Sequence, residues 1–147
     1  MYIISACLLG ENCKYNGGNN YCQWVDVFAK EHSYVTVCPE TRAGLAAPRP
    51  PAEILGDKVI DAQGCDLTEA FSMGAAKSYE EAKQAAEEAG EILEGAILKA
   101  KSPSCGRDRI YDGTFSGQLT DGDGYLVRLL KKDKIDVITE KENIEND

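Results

Sequence analysis

Three short apolar runs, at residues 2–6, 34–37 and 95–100, each lead into a loop that carries cysteine. The thiols in these loops are Cys7, Cys13, Cys38 and Cys105. Each run has the length and the apolar content of a buried strand, and turn-forming residues bound it. Because the carboxyl ends of parallel strands open onto a common crevice, we expect these thiols to meet at one place.

Helical patterns alternate with the strands. The segments with helical periodicity are 21–31, 67–90 and 124–133, and a fourth strand is predicted at 135–138. This alternation predicts a single α/β domain with a short, mostly parallel sheet of about four strands, covered by helices on both faces. Residues 53–61 interrupt the alternation and are typical of a small hairpin that turns at Gly56 and Asp57.

The length of the chain and its lack of long apolar segments indicate the number of domains and the cellular location. At 147 residues the chain fits one domain, which we expect over 1–140, followed by an acidic tail at 141–147 that frays from Glu140 onward. No segment approaches the length of a membrane span, and no secretory leader precedes the first strand, so a cytoplasmic location is predicted. Thiols stay reduced there, and we do not expect the six cysteines to form a disulfide framework.

The net charge of the protein restricts the binding partners that we expect. The net charge of −9 disfavours non-specific binding to nucleic acid. A local basic patch near the crevice is one interpretation of four arginines in the loops, and structural ion pairing is the other. These residues are Arg42, Arg49, Arg107 and Arg109.

The thiols suggest soft-metal chemistry. No two cysteines form a C-x-x-C pair, so zinc-ribbon and thioredoxin-like sites lose their usual support. Thiolates suit zinc or an iron–sulfur cluster, and the only histidine, His32, lies away from the predicted crevice. The alternative is that the cysteines are small buried apolar residues, and this is the interpretation we adopt for Cys22 and Cys65.

Polar residues follow the same strands. Glu40 comes two residues after Cys38, where a carboxylate suits general acid–base catalysis. The alternative is that Glu40 caps a backbone turn or pairs with an arginine. Ser102 and Ser104 are placed to orient a substrate or a water molecule by hydrogen bonds. No histidine is placed to activate them, which disfavours a serine hydrolase. Residues 111–115 are predicted to form a turn, and 113–124 a glycine-rich loop; the aromatic residues there either pack in the core or stack on a flat heterocycle.

Five segments together resemble the thiouracil desulfurase family. They are 5–10 (SACLLG), 38–40 (CPE), 48–53 (PRPPAE), 102–106 (SPSCG) and 110–115 (IYDGTF). The resemblance runs over nearly the whole chain. It implies a 4Fe-4S cluster that is held by three cysteines and has one open iron, where sulfur leaves a thiolated pyrimidine and water replaces it.

The resemblance also implies roles for particular residues. Cys7, Cys38 and Cys105 are the preferred cluster ligands, and Cys13 competes for one place or is a nearby fourth thiol. Glu40 and Ser102 match positions that serve in catalysis. The chain departs from the family pattern at Lys14, Asn16 and Ala43, where Arg, Asp and Gly are usual, and these changes bear on substrate preference.

Three functions stay open at this point. The first is desulfuration of a free thiopyrimidine, which the acidic composition favours; the second is desulfuration of thiolated uridine in tRNA. The third is a non-catalytic metal or cluster module whose ligand set Cys13 closes. A thiol oxidoreductase is disfavoured by the absence of a paired-cysteine motif, and no membrane partner is expected.

Overall fold

The computed structural model describes residues 1–142. In chain order the elements are β1 (Tyr2–Ser5), a 3-10 helix (Ala6–Leu9), α1 (Gln23–Glu31), β2 (Tyr34–Val37), α2 (Pro39–Arg42), β3 (Ala52–Leu55), β4 (Lys58–Asp61), α3 (Thr68–Glu88), β5 (Gly95–Leu98), β6 (Arg109–Tyr111), β7 (Leu119–Asp121), α4 (Tyr125–Lys132) and β8 (Val137–Thr139).

The central sheet has the order β2-β1-β5-β8, and all its strand pairs are parallel. Tyr2 pairs with Tyr34 on one side and with Gly95 on the other, which aligns the carboxyl ends of β1, β2 and β5. The prediction of a short parallel sheet of about four strands is therefore confirmed.

Helices cover both faces of this sheet, because successive side chains of a strand point to opposite faces. Ile3 packs in a cluster with residues of α3 and α4 on one face, including Ala82 and Leu126. Its neighbour Ile4 packs with Val25 and other residues of α1 on the other face. The predicted arrangement of helices on both faces is confirmed.

Two hairpins extend from this core. The predicted hairpin is present as the antiparallel pair of β3 and β4, with Gly56 at its turn in the left-handed region. A second antiparallel hairpin, β6 with β7, lies where the sequence predicts only a turn and a loop. That prediction is wrong because both strands have three residues and β7 is mostly exposed, so neither carries a recognisable alternation.

One glycine sets the position of α2. A Cβ atom added at Gly74 of α3 would lie 2.0 Å from the carbonyl oxygen of Pro39. The absence of a side chain at Gly74 therefore lets α2 rest directly on α3. Because α2 follows Cys38 and carries Glu40, this contact fixes where both side chains lie.

The end of the described chain is well anchored. Glu140 accepts a hydrogen bond from the backbone N–H of Ala100 at 2.7 Å, and its carbonyl accepts one from Trp24 Nε1 at 2.9 Å. The expectation that the chain frays from Glu140 is therefore wrong for that residue. The boundary between a domain of 1–140 and a tail of 141–147 stays a prediction, and residues 143–147 lie outside the described residues.

None of the helices within residues 1–142 combines the length and the apolar character that crossing a membrane requires.

Candidate active site at the carboxyl edge of the sheet

Four thiols line one cavity of about 550 Å³ at the carboxyl ends of β1, β2 and β5. Cys7 lies in the 3-10 helix that follows β1, Cys38 directly follows β2, and Cys105 lies in the segment after β5. Cys13 belongs to the long loop between β1 and α1 and lines the same cavity. The topology thus brings together thiols that the chain separates widely.

Cys13 bridges two of the other thiols. Its single S–H is within hydrogen-bonding reach of Cys7 and of Cys38, and this interaction lowers the pKa of Cys7 and lowers the pKa of Cys38 to about 6. The same interaction raises the pKa of Cys13 itself. Asn20 Nδ2 also donates to Cys7 Sγ at 3.5 Å. The cavity therefore favours the thiolate form at two of its sulfurs.

Cys105 is fully enclosed, and burial raises its pKa to about 12. Its backbone N–H donates to Ser102 Oγ at 2.9 Å, and Ser104 Oγ contacts its sulfur at 3.7 Å. This segment rests on the start of α4, because Leu126 N–H donates to the carbonyl of Ser104 at 2.9 Å. A Cβ atom added at Gly124 would lie 2.5 Å from the carbonyl carbon of Ser104, so glycine is required there.

Glu40 lies in the wall of the cavity and pairs with an arginine. Its Oε1 is 3.1 Å from the NH2 group of Arg49, and Arg49 Nε donates to the same oxygen at 3.2 Å. Ser104 Oγ donates to Glu40 Oε2 at 2.9 Å. The arginine-pairing interpretation of Glu40 is therefore correct, and its role in acid–base chemistry stays a prediction.

The two predicted serines have different surroundings. Both line the cavity, but Ser104 is the one that contacts Glu40. Ser102 instead accepts the N–H of Cys105 and stabilises the turn that presents this cysteine.

Further side chains complete the wall. Tyr15, Tyr111 and Phe115 contribute aromatic surface, and Lys99 contributes a cation that pairs with Glu140 at 3.0 Å. Lys99 was not predicted as a site residue, although it directly follows β5 at the edge where the thiols lie. Asn20 and Glu53 were not predicted as cavity residues either; Glu53 ends the motif 48–53 of the family resemblance, whereas no local signal identifies Asn20.

Several candidate residues lie elsewhere. Among the four arginines only Arg49 lines the cavity, so the predicted basic patch is wrong. The others form ion pairs, which are Arg42 with Glu81, Arg107 with Glu142 and Arg109 with Asp121. Their carboxylate partners neutralise them away from the site.

The remaining cysteines and the histidine are also outside the cavity. Cys22 is half-buried and packs against the core beneath α1, whereas Cys65 is exposed, so the prediction that Cys65 is a buried apolar residue is wrong. His32 stacks on Phe28 with ring centroids 3.8 Å apart, at the opposite edge of the sheet. It cannot take part in chemistry at the thiols.

The sulfur atoms of the cavity limit the kind of metal group that it can hold. Within residues 1–142, no three His, Cys, Asp or Glu side chains are grouped as a site for one metal ion. Sulfur donors around a cavity, two of them favoured as thiolates, match the soft ligands of iron–sulfur clusters.

Comparison with known proteins agrees with this arrangement. A family profile for 2-thiouracil desulfurases matches residues 2–142. The chain is 39% identical over 152 residues to the uncharacterized protein YbbK of Bacillus subtilis (strain 168), covering 97% of each protein. A solved structure of the [4Fe-4S]-dependent thiouracil desulfidase TudS superposes with a TM-score of 0.82 at 38% identity, covering 98% of this chain and 93% of that one. The chain therefore belongs to the 2-thiouracil desulfurase family.

Proposed function

We propose that this protein is a 4Fe-4S-dependent desulfurase that hydrolyses the C–S bond of a thiolated pyrimidine such as 2-thiouracil. The products are the oxo-pyrimidine and sulfide, and no net oxidation or reduction takes place. The observation that carries this proposal is the cavity in which thiols from three strand ends meet the Glu40–Arg49 pair. Membership of the family and the likeness to a [4Fe-4S]-dependent thiouracil desulfidase support it.

We assign Cys7, Cys38 and Cys105 as the cluster ligands. Each lies in the segment that follows a different strand of the sheet, and all three line the cavity. Cys13 lies on a loop within hydrogen-bonding reach of Cys7 and Cys38, which supports its role either as a nearby fourth thiol or as the competitor for one ligand place.

The cluster, when bound, supplies a Lewis-acidic iron with an open position, which suits a soft thiocarbonyl sulfur. The protein's part is to hold the ring and to move protons. Glu40 is placed to accept a proton from the water that attacks the ring carbon, and Arg49 and Ser104 fix the orientation of its carboxylate. Ser102 Oγ accepts the N–H of Cys105, so its own O–H is left to donate to the substrate.

A small substrate fits this site better than tRNA. A cavity of about 550 Å³ lies within the size range of small-molecule sites. The net charge of −9 opposes the phosphate contacts that tRNA binding needs. A cytoplasmic location, where thiols remain reduced, is part of the same proposal.

The test is anaerobic reconstitution with iron and sulfide, followed by assay of sulfide release from 2-thiouracil. We expect release by the reconstituted protein and none by the cluster-free chain. Serine replacement of Cys7, Cys38 or Cys105 abolishes the visible absorption of the cluster and the activity together.

Two thiols outside the cavity provide matched controls. Cys65→Ser and Cys22→Ser retain both cluster and activity, because neither residue lines the cavity. Cys13→Ser distinguishes the two roles of Cys13. The variant loses the cluster if Cys13 is a ligand and retains it if Cys13 is a nearby fourth thiol. A fully loaded wild-type protein that releases no sulfide would contradict the proposed reaction and favour the non-catalytic module.

A further inference from the structure

Two exposed aromatic side chains line the thiol cavity. Tyr15 is 41% exposed and Phe115 is 40% exposed, and both present aromatic surface to the same cavity. They come from distant parts of the chain, one from the loop after β1 and the other from the loop between β6 and β7. Exposure of both at one cavity suggests that a ligand covers them.

The backbone of Phe115 is held in an unfavourable conformation. Its φ angle is +56°, in the left-handed region that bulky side chains rarely adopt. Such a conformation persists only where the surroundings enforce it, and it is concentrated at functional sites. Here two backbone N–H groups, those of Gly113 and Phe115, donate to Glu53 Oε1 at 3.0 and 3.2 Å.

Glu53 is a buried carboxylate that lines the cavity beside the Phe115 loop. It is 8% exposed, and no Lys or Arg within residues 1–142 forms an ion pair with it. Burying an unpaired carboxylate is unfavourable unless hydrogen bonds compensate, and here the N–H groups of the loop provide them. The loop also rests closely on β3, because a Cβ atom added at Gly113 would lie 2.8 Å from Leu55 Cβ.

The Tyr15 loop is fastened from another direction. The backbone N–H of Arg49 donates to the carbonyl of Tyr15 at 2.6 Å. Arg49 is the residue that pairs with Glu40, so the position of Tyr15 is tied to that of the carboxylate.

We propose that Tyr15 and Phe115 form an aromatic clamp for the planar ring of the substrate, and that Glu53 is the positioning residue that holds Phe115 in place. This inference rests on the proposed function, and it identifies how the ring is recognised. Stacking on an aromatic side chain is available to a flat heterocycle and is lost when the ring is saturated and puckered.

Kinetics of the reconstituted protein test the clamp. Phe115→Leu and Tyr15→Leu should each raise KM for 2-thiouracil about tenfold and leave kcat nearly unchanged, since a stacked base contributes about 1–3 kcal/mol and 1.4 kcal/mol is tenfold. A rise in KM alone is the signature of lost ground-state binding. Tyr34→Leu is the control, because Tyr34 is 42% exposed and lies outside the cavity. An unchanged KM in both clamp variants would overturn the proposal.

Variants of Glu53 test the positioning role. Glu53→Gln should keep KM close to the wild-type value, because the amide oxygen still accepts the two N–H groups. Glu53→Ala should raise KM as Phe115→Leu does, and the double variant should be no worse than either alone. Additive effects would show that Glu53 acts independently of Phe115 and would overturn the positioning role; a thermal melt of each variant identifies general unfolding.

Equilibrium binding separates the clamp from the reaction. Calorimetry on the reconstituted protein compares uracil with 5,6-dihydrouracil, neither of which carries sulfur. We expect wild type to bind uracil about tenfold more tightly than the saturated ring, and Phe115→Leu to remove that preference. If uracil binds with this preference but no sulfide is released, the proposed reaction fails and the clamp stands. If sulfide is released and the preference is absent, the clamp fails and the reaction stands.

Discussion

The NH2 group of Arg49 lies 3.1 Å from Glu40 Oε1, and it also donates to the carbonyl of Cys13 at 2.9 Å. Arg49 is only 9% exposed, so these bonds form largely away from water. One guanidinium therefore joins the loop of Cys13 to the helix that carries Glu40. The planar fork of arginine suits this double role, and a lysine ammonium does not reproduce it.

Replacing Arg49 should accordingly affect both stability and activity. Arg49→Met leaves Glu40 half-buried and without its counter-ion, which costs up to about 3 kcal/mol of unfolding free energy. Arg49→Lys should recover part of the stability and little of the turnover, since it cannot contact Glu40 and Cys13 in the same geometry. Urea unfolding and sulfide release measure the two effects.

The matched control for that experiment is Arg42→Met. Arg42 pairs with Glu81 at the surface, where an ion pair contributes about 1 kcal/mol or less. Equal losses of unfolding free energy and of sulfide release in the Arg42 and Arg49 variants would argue against a special role for the buried Arg49–Glu40 pair.

Glu40→Gln should retain the cluster and lose turnover. The amide keeps the size of the side chain and cannot accept the proton of the attacking water, so we expect kcat to fall by about 10²-fold or more. The visible spectrum of the reconstituted variant reports cluster retention, and Glu81→Gln serves as a surface control. Turnover at the wild-type rate would remove Glu40 from the mechanism.

Gly74→Ala should destabilise the protein, against the usual preference of helices. In an exposed helix this change stabilises by about 1 kcal/mol. Here the new Cβ would lie 2.0 Å from Pro39 O and 3.0 Å from Ala43 Cβ, so α2 must shift. We expect a net loss of about 1–3 kcal/mol and weaker cluster retention, because Cys38 and Glu40 move with α2.

Ser72→Ala, an exposed change on the same helix, is the control for Gly74→Ala. Urea unfolding compares the two variants. A Gly74→Ala protein that is as stable as wild type would show that α2 does not depend on the close contact.

Tyr79 should make the fold sensitive to alkali. Burial, together with the hydrogen bond that its hydroxyl donates to Asp133, raises the pKa of Tyr79 to about 12 from its ordinary value of 10.0. Between these values the unfolded chain loses the phenolic proton and the folded chain keeps it. The stabilisation that Tyr79 gives to the folded state is therefore fully present below pH 10 and is lost as pH rises toward 12.

Urea unfolding across this pH range checks the prediction for Tyr79. Lys83 lies 4.4 Å from the centre of the Tyr79 ring, and it is retained in all variants. Tyr79→Phe should show a shallower loss of stability above pH 10 than wild type, and Tyr34→Phe should follow wild type. If the free energy of unfolding falls equally steeply with pH in Tyr79→Phe and in wild type, Tyr79 is not the source of the alkaline sensitivity.

Much of the fold could be predicted because its signals are local. Apolar runs and helical periodicity define the strands of the central sheet and the helices α1, α3 and α4 within a few residues of their observed bounds, and parallel alternation restricts how they assemble. The four-residue helix α2 is too short to show a helical period. The β6–β7 hairpin escaped prediction because its strands are too short and too exposed to show a period.

The sequence by itself determined the parallel sheet and the edge at which Cys7, Cys38 and Cys105 meet, since strand ends of such a sheet share one side. Only the tertiary structure decided that Ser104 reaches Glu40 across 64 positions of the chain and that Glu53 holds Phe115 across 62. These partners are selected by the packing of loops on the finished sheet. A contact between distant segments leaves no periodic pattern in either of them, so it becomes visible only once the chain has folded.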